Sequence, residues 1–179
     1  MQTHELAHHP AHAPSALTAV SASMRWHEHW LTLRFRLSDA AQVKVPPFAP
    51  RRHADGLWQR TCFEMFVRHG EGEEYTEFNF SPSGQWAVYD FSAPREGMRQ
   101  RVRSRAPACT WRAGGKAAFF DAALPVAALP DGASDIGLSA VMVEEGSIKS
   151  FWALCHHGDS PDFHDPACFT ARLPAREAP

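Results

Sequence analysis

The chain has no apolar run near the ~20 residues needed to cross a bilayer, and no basic leader with an unbroken apolar stretch opens it. Those two absences lead to the expectation of a cytoplasmic protein with no membrane partner. Cysteine is scarce: Cys62, Cys109, Cys155 and Cys168 are the 4 present, and no two form a CxxC pair. A zinc knuckle or dithiol redox motif is therefore not expected, and free thiols suit a reducing compartment better than two disulfides. Net charge is only −2, so no global field favours nucleic acid or an anionic surface. The chain also lacks a GxSxG elbow, a P-loop, a GxGxxG turn and an HExxH helix. Without such machinery the expectation is a protein that is not an enzyme.

Helical periodicity is missing as well. No stretch of about 12 residues repeats apolar positions at i, i+3, i+4 and i+7. The period is close to two almost everywhere, as in "WLTLRFRLS", where Leu31, Leu33, Phe35 and Leu37 alternate with Thr32, Arg34, Arg36 and Ser38. Further strand-like runs are "TCFEMFV", "EYTEFNFS", "QWAVYDF", "RQRVRSR", "TWRAGGKAAFFDAAL", "DIGLSAVMVEE", "KSFWALCHH" and "ACFTARL". "VKVPPFAPRR" reads as loop or edge because proline cannot donate to a central ladder. "LPVAALPDGA" reads as a short helical turn or loop. Many short strands between turn signals predict an all-β, antiparallel β-sandwich, jelly-roll-like in outline. At 179 residues one domain suffices. The expected division is a disordered His/Ala/Pro-rich tail at 1–15, a sandwich at 16–174 and a short tail at 175–179.

The middle of the chain carries polar groups where a plain core strand would be apolar. If a hairpin closes about Glu71–Gly72, Met65 faces Phe78 and Phe63 faces Phe80 on one side of the sheet. Glu64 then faces Asn79, and Phe66 faces Glu77, on the other. Two uses of that second face follow. It is either the wetted outside of the sandwich or the floor of a groove, where carboxylate and amide groups meet ligand hydroxyls beside an aromatic. Which face takes Trp86 depends on how "SPSG", a type I turn candidate, closes.

The string "LWQRTCFEMF…YTEFNFSPSGQWAVYDF" resembles the bacterial DOMON-like domains, which are grouped with the family 9 carbohydrate-binding modules. "FFDAALPVAALPDG" and "DIGLSAVMVEEGSIKSFWALCHHGDSPDFHDPACFTARL" are similar to later strands of that family, and the resemblance spans about residues 30–173. It implies a β-sandwich that binds a sugar or b-type haem and carries no catalytic machinery. For a sugar module it implies two stacking tryptophans, Trp152 with either Trp58 or Trp86, around polar groups. The ligand-binding set expected on this basis is Trp58, Glu64, Glu77, Asn79, Trp86, Trp152, Asp162 and His164, with a saccharide as the small-molecule partner. The acidic cluster that opens the central strand in sugar modules is replaced here by "LWQRTC".

Other constellations give weaker readings. Haem would need Met98 or Met65 to converge with His156, His157 or His164, or two of these histidines to converge, on one iron. The "HHGDSPDFHD" stretch offers His156, His157, Asp162, His164 and Asp165 as metal ligands, but an ordinary Asp- and Pro-rich loop has the same composition. No metal site is expected there. Arg99, Arg101, Arg103 and Arg105 at alternate positions would make a basic stripe able to dock a protein partner, and nothing aromatic alternates with them to serve nucleic acid. Glu64 and Glu77 have the diagonal spacing of a glycosidase pair, about 7–8 Å between Cα atoms. On a flat sheet face nothing is expected to raise one carboxyl's pKa or exclude water.

Overall fold

A computed structural model describes residues 2–69, 72–102, 105–114 and 116–175. Its strands are β1 (Thr3–His8), β2 (Ala19–His27), β3 (Trp30–Ser38), β4 (Cys62–His69), β5 (Tyr75–Phe80) and β6 (Trp86–Phe91). They continue with β7 (Arg99–Gln100), β8 (Ala108–Arg112), β9 (Ala117–Pro125), β10 (Ala133–Val143), β11 (Lys149–Ala153) and β12 (Ala171–Arg172). All pairings between strands are antiparallel, in the order β7-β6-β5-β4-β10-β11-β1-β2-β3-β9-β8, with β12 beside β10. The path folds on itself into a β-sandwich. No helix among the described residues is long and apolar enough to cross a membrane.

Alternation builds the core. Leu31, Leu33, Phe35 and Leu37 of β3 and Ala118, Phe120, Ala122 and Leu124 of β9 point inward from one sheet. Phe63, Met65 and Val67 of β4, with Phe78 and Phe80 of β5, meet them from the other. Phe63 stacks on Phe120 with ring centroids 4.2 Å apart. Each inward residue is buried on a period of two, so the strands cannot slip by one without exposing the whole row.

β1 hinges the two sheets. Its first residues pair with β2 from Thr3↔Ser23 to Leu6↔Val20, while Ala7 and His8 pair with Ala153 and Trp152 of β11. The expected disordered tail at 1–15 is therefore an ordered strand, and the fold begins before residue 16. Composition misled here because only Leu6 of β1 enters the core. The strand is held by backbone ladders on both edges and by rings, His8 against Trp152 at 5.4 Å and His12 against Phe151 at 4.9 Å. Beyond it, the buried Glu144 carboxylate accepts the backbone N–H groups of Ser15, Ala16 and Leu17 at 2.7–2.9 Å. Of the tail expected at 175–179, residues 176–179 lie outside the described residues, as do the hairpin apex at Glu71 and the turn glycine Gly115.

The expected basic strand shrinks to β7. Arg101 Nη1 lies 2.7 Å from Asp90 Oδ1 and is spent on that strand-edge carboxylate, whereas Arg99, with Nε 3.8 Å from Asp90 Oδ2, stays 79% exposed. Arg103 lies outside the described residues.

Candidate functional site

The register of the β4–β5 hairpin pairs Glu64 with Asn79, Met65 with Phe78 and Phe66 with Glu77. With β6 alongside, Glu77 opposes Tyr89 and Tyr75 opposes Phe91. One face of this three-stranded patch thus carries Cys62, Glu64, Phe66, Tyr75, Glu77, Asn79, Ala87, Tyr89 and Phe91. That face is not wet. Glu64 is 2% exposed, Glu77 6% and Asn79 0%, because two loops lie over it. One joins β6 to β7 and brings Arg95 and Met98; the other, 154–170, follows β11 and brings Pro161, Phe163 and His164. Phe169 anchors the second loop on Gly137 of β10, where a Cβ would stand 2.6 Å from the Phe169 ring. Only glycine admits that approach.

Between loops and sheet lies a cavity of about 340 Å³. Glu64 and Glu77 form its floor, and Trp58, Tyr89, Phe91, Phe151 and Phe163 its apolar walls. Trp58, from the short 3₁₀ turn Leu57–Gln59, stands at the mouth, 41% exposed, edge-on to Tyr89 at 6.4 Å. Such a volume falls at the lower end of small-ligand sites, about 300–1,000 Å³.

Polar partners hold the floor in place. Ser139 Oγ donates to Glu64 Oε2 at 3.0 Å, and Asn79 Nδ2 donates to Glu77 Oε1 at 2.7 Å. Glu64 Oε1 and Glu77 Oε2 have no hydrogen-bonding partner among the described residues. Burial pushes the Glu64 carboxyl up to about 8, helped by the nearby charge of Glu77. Burial also raises Glu77 to about 7, against the opposing pull of Asn79 and Arg95. The sheet-face argument against a raised carboxyl is overturned, because the loops supply the burial that a bare sheet lacks. Arg95 Nη2 lies 2.8 Å from Asp162 Oδ1, which also accepts the His164 N–H at 3.0 Å. Asp162 thus ties the two loops together at the rim.

Of the residues expected from sequence, the cavity brings together Trp58, Glu64, Glu77 and His164. Asn79 lies beneath them as a support. Trp86 and Trp152 lie elsewhere. Both belong to the sandwich core, Trp152 2% exposed with its Nε1 donating to Ser150 Oγ at 2.9 Å. Trp152 pairs with Ala140 on the core face, so its neighbour Phe151, opposite Val141, faces the cavity. The stacking expectation picked the wrong face of β11 by one residue. Trp86 is fixed inward by the register Phe80↔Trp86 that the Ser81–Gly84 turn imposes, with Gly84 at φ 95°. Tyr89, Phe91 and Phe151 were not expected, yet strand alternation places each on the Glu77 face once the register is known. Arg95 and Phe163 come from loops that carry no such signal.

Of the side chains considered as haem ligands, Met65 is in the core and His156 and His157 do not line the cavity, whereas Met98 and His164 do.

No protein-family model matches the chain, and no curated protein does. Among solved structures it is similar to a candidate carbohydrate-binding protein of Bacteroides uniformis. The TM-score is 0.64 at 17% identity, covering 94% of this chain and 84% of that one. It is also similar to a family 9 carbohydrate-binding module of Caldicellulosiruptor kristjanssonii in complex with glucose. There the TM-score is 0.54 at 8% identity, covering 97% and 86%. The fold is a β-sandwich of the family 9 module type. At these identities the likeness is one of backbone architecture.

Proposed function

We propose that the cavity binds a carbohydrate and performs no chemistry on it. The observation that carries this reading is the pair of buried carboxyls, Glu64 and Glu77, beneath an aromatic enclosure open at Trp58. Carboxyl oxygens left free by Ser139 and Asn79 can each accept from a sugar hydroxyl, and a carboxyl that keeps its proton can also donate. Trp58 at the mouth suits the apolar face of a pyranose ring, and Phe151 and Phe163 the far wall. His164 and Arg95 supply donors at the rim. The two structural neighbours, one a glucose-bound module, support a saccharide over other polar ligands. Titration calorimetry against mono- and oligosaccharides, wild type beside Glu77→Gln and Trp58→Ala, tests it. Heat with at least one sugar, weakened in both variants, is expected; no heat with any sugar removes the proposal.

One observation favours a second reading. Two carboxyls with raised and unequal pKa values, screened from water, meet a requirement of glycoside hydrolysis. Release of nitrophenol from aryl glycosides, abolished by Glu64→Gln, would replace binding alone with hydrolysis.

A further inference from the structure

We propose that Cys155, His157 and Cys168 form a zinc site that clamps the ends of the loop between β11 and β12. These residues bring two thiols and an imidazole together with their ligand atoms all within 4.8 Å of one another. Cys155 and His157 follow β11, and Cys168 closes the 3₁₀ turn Pro166–Cys168 just before β12. Sequence separation hides the group, since neither cysteine belongs to a CxxC pair.

One separation in the group matches a tetrahedral soft-ligand site. Cys168 Sγ lies 3.6 Å from His157 Nδ1. Zn–S of about 2.3 Å and Zn–N of about 2.0 Å around a tetrahedral ion put sulfur and nitrogen roughly 3.6 Å apart. Asp165 Oδ2 hydrogen-bonds His157 Nδ1 at 2.9 Å and lies 3.8 Å from Cys168 Sγ, so metal binding through Nδ1 would replace that hydrogen bond. The other oxygen of Asp165 is occupied, accepting the Ala167 N–H at 2.9 Å, which fixes the carboxylate's direction. Thiolate and imidazole ligands select zinc over calcium or magnesium. Binding releases the thiol protons to solvent. The ion would join the two ends of the segment that carries Pro161, Phe163 and His164 over the cavity, so it would brace the rim without entering it. The inference does not depend on what the cavity binds.

Cobalt titration of the reduced full-length chain, free of any metal-binding tag, tests the site. Expected is uptake of one equivalent, with the visible bands of tetrahedral cobalt and a thiolate-to-cobalt charge-transfer band, both erased by zinc. Cys155→Ser and His157→Ala, at half-buried and exposed positions that tolerate change, should each weaken cobalt binding by more than the roughly 10–100-fold typical of losing an outer partner. Cys168→Ser should do the same if it folds. Cys109→Ser, on β8, should leave the titration unchanged. The proposal fails if the reduced wild type shows no bands, or if the bands lack thiolate charge transfer, as capture by His9, His12 and His156 would give. It fails equally if they persist undiminished in Cys155→Ser and His157→Ala.

Discussion

The Tyr75 hydroxyl lies 2.7 Å from Nδ1 of His164 and accepts the backbone N–H of Arg95 at 3.1 Å. One strand residue therefore holds both loops that roof the cavity. The other ring nitrogen of His164, Nε2, faces Glu77 Oε2 at 4.0 Å. Burial, and after it the charge of Arg95, lowers the His164 pKa to about 4, so the ring is neutral. Tyr75→Phe keeps the ring stacked on Phe91 but removes the hydroxyl partner of His164 Nδ1 and of the Arg95 N–H. The expected loss is about 0.5–1.5 kcal/mol of folding stability per bond, read from urea midpoints, with weaker saccharide binding from a loosened rim. An unchanged midpoint would show that the hydroxyl organises nothing.

The tryptophans should separate by assay. Trp152→Ala opens a hole in the core and should cost about 3–5 kcal/mol, with whatever fold remains binding sugar as before. Trp58→Ala, at the exposed mouth, should shift stability by about 0.5 kcal/mol or less. It should nonetheless weaken saccharide affinity about tenfold, equivalent to 1.4 kcal/mol. Thermal melts and calorimetry run side by side on both variants check this. The opposite pattern would return Trp152 to the site.

Much of this is legible in the sequence. Period-two alternation gives the strands and the two faces of the β4–β5 hairpin, because burial of one face fixes register from local pattern alone. Glu64 and Glu77 were visible as polar residues in a row of aromatics. Their burial was not, since it is imposed by loops 95–98 and 161–164, which sit far away in sequence and show no periodicity. Phe151 and Trp152 illustrate the limit on β11. Both are large and aromatic, and only the partner strand β10 tells which one faces in. β1 was missed for a related reason, since backbone pairing stabilises it and its side chains give little hint.

Removing residues 1–9 should therefore destabilise the protein, whereas loss of a solvated tail would do nothing. The truncation exposes the edges of β2 and β11 and uncovers the core around Leu6. Losing that burial and the ladder should cost at least about 2–3 kcal/mol. Glu144→Gln offers a milder probe of the same region. It weakens charge-assisted hydrogen bonds to Ser15, Ala16 and Leu17, and about 1.5–3 kcal/mol is expected from such bonds. Denaturant midpoints of both variants below wild type are the expected result; a truncation that melts with wild type would restore the tail.

Stability should also fall as pH rises past neutrality. Glu64 and Glu77 bind protons more tightly folded, at about 8 and about 7, than unfolded, at 4.5. Between those values the native state carries the extra protons, so unfolding gains with each step up in pH. His164 acts in the other direction. Held neutral with a pKa of about 4 against 6.5 unfolded, it removes stability as pH falls from 6.5 toward 4. The two effects oppose each other in mild acid, and above pH 6.5 only the carboxyls remain. From pH 6.5 to 8 the wild type should lose about 2 kcal/mol. The double variant Glu64→Gln/Glu77→Gln should be flat across that interval, because its amides do not titrate. Urea midpoints at half-unit pH steps decide the matter, and a wild-type profile that is level or climbs above pH 6.5 would mean that the two acids are already ionised in the folded protein.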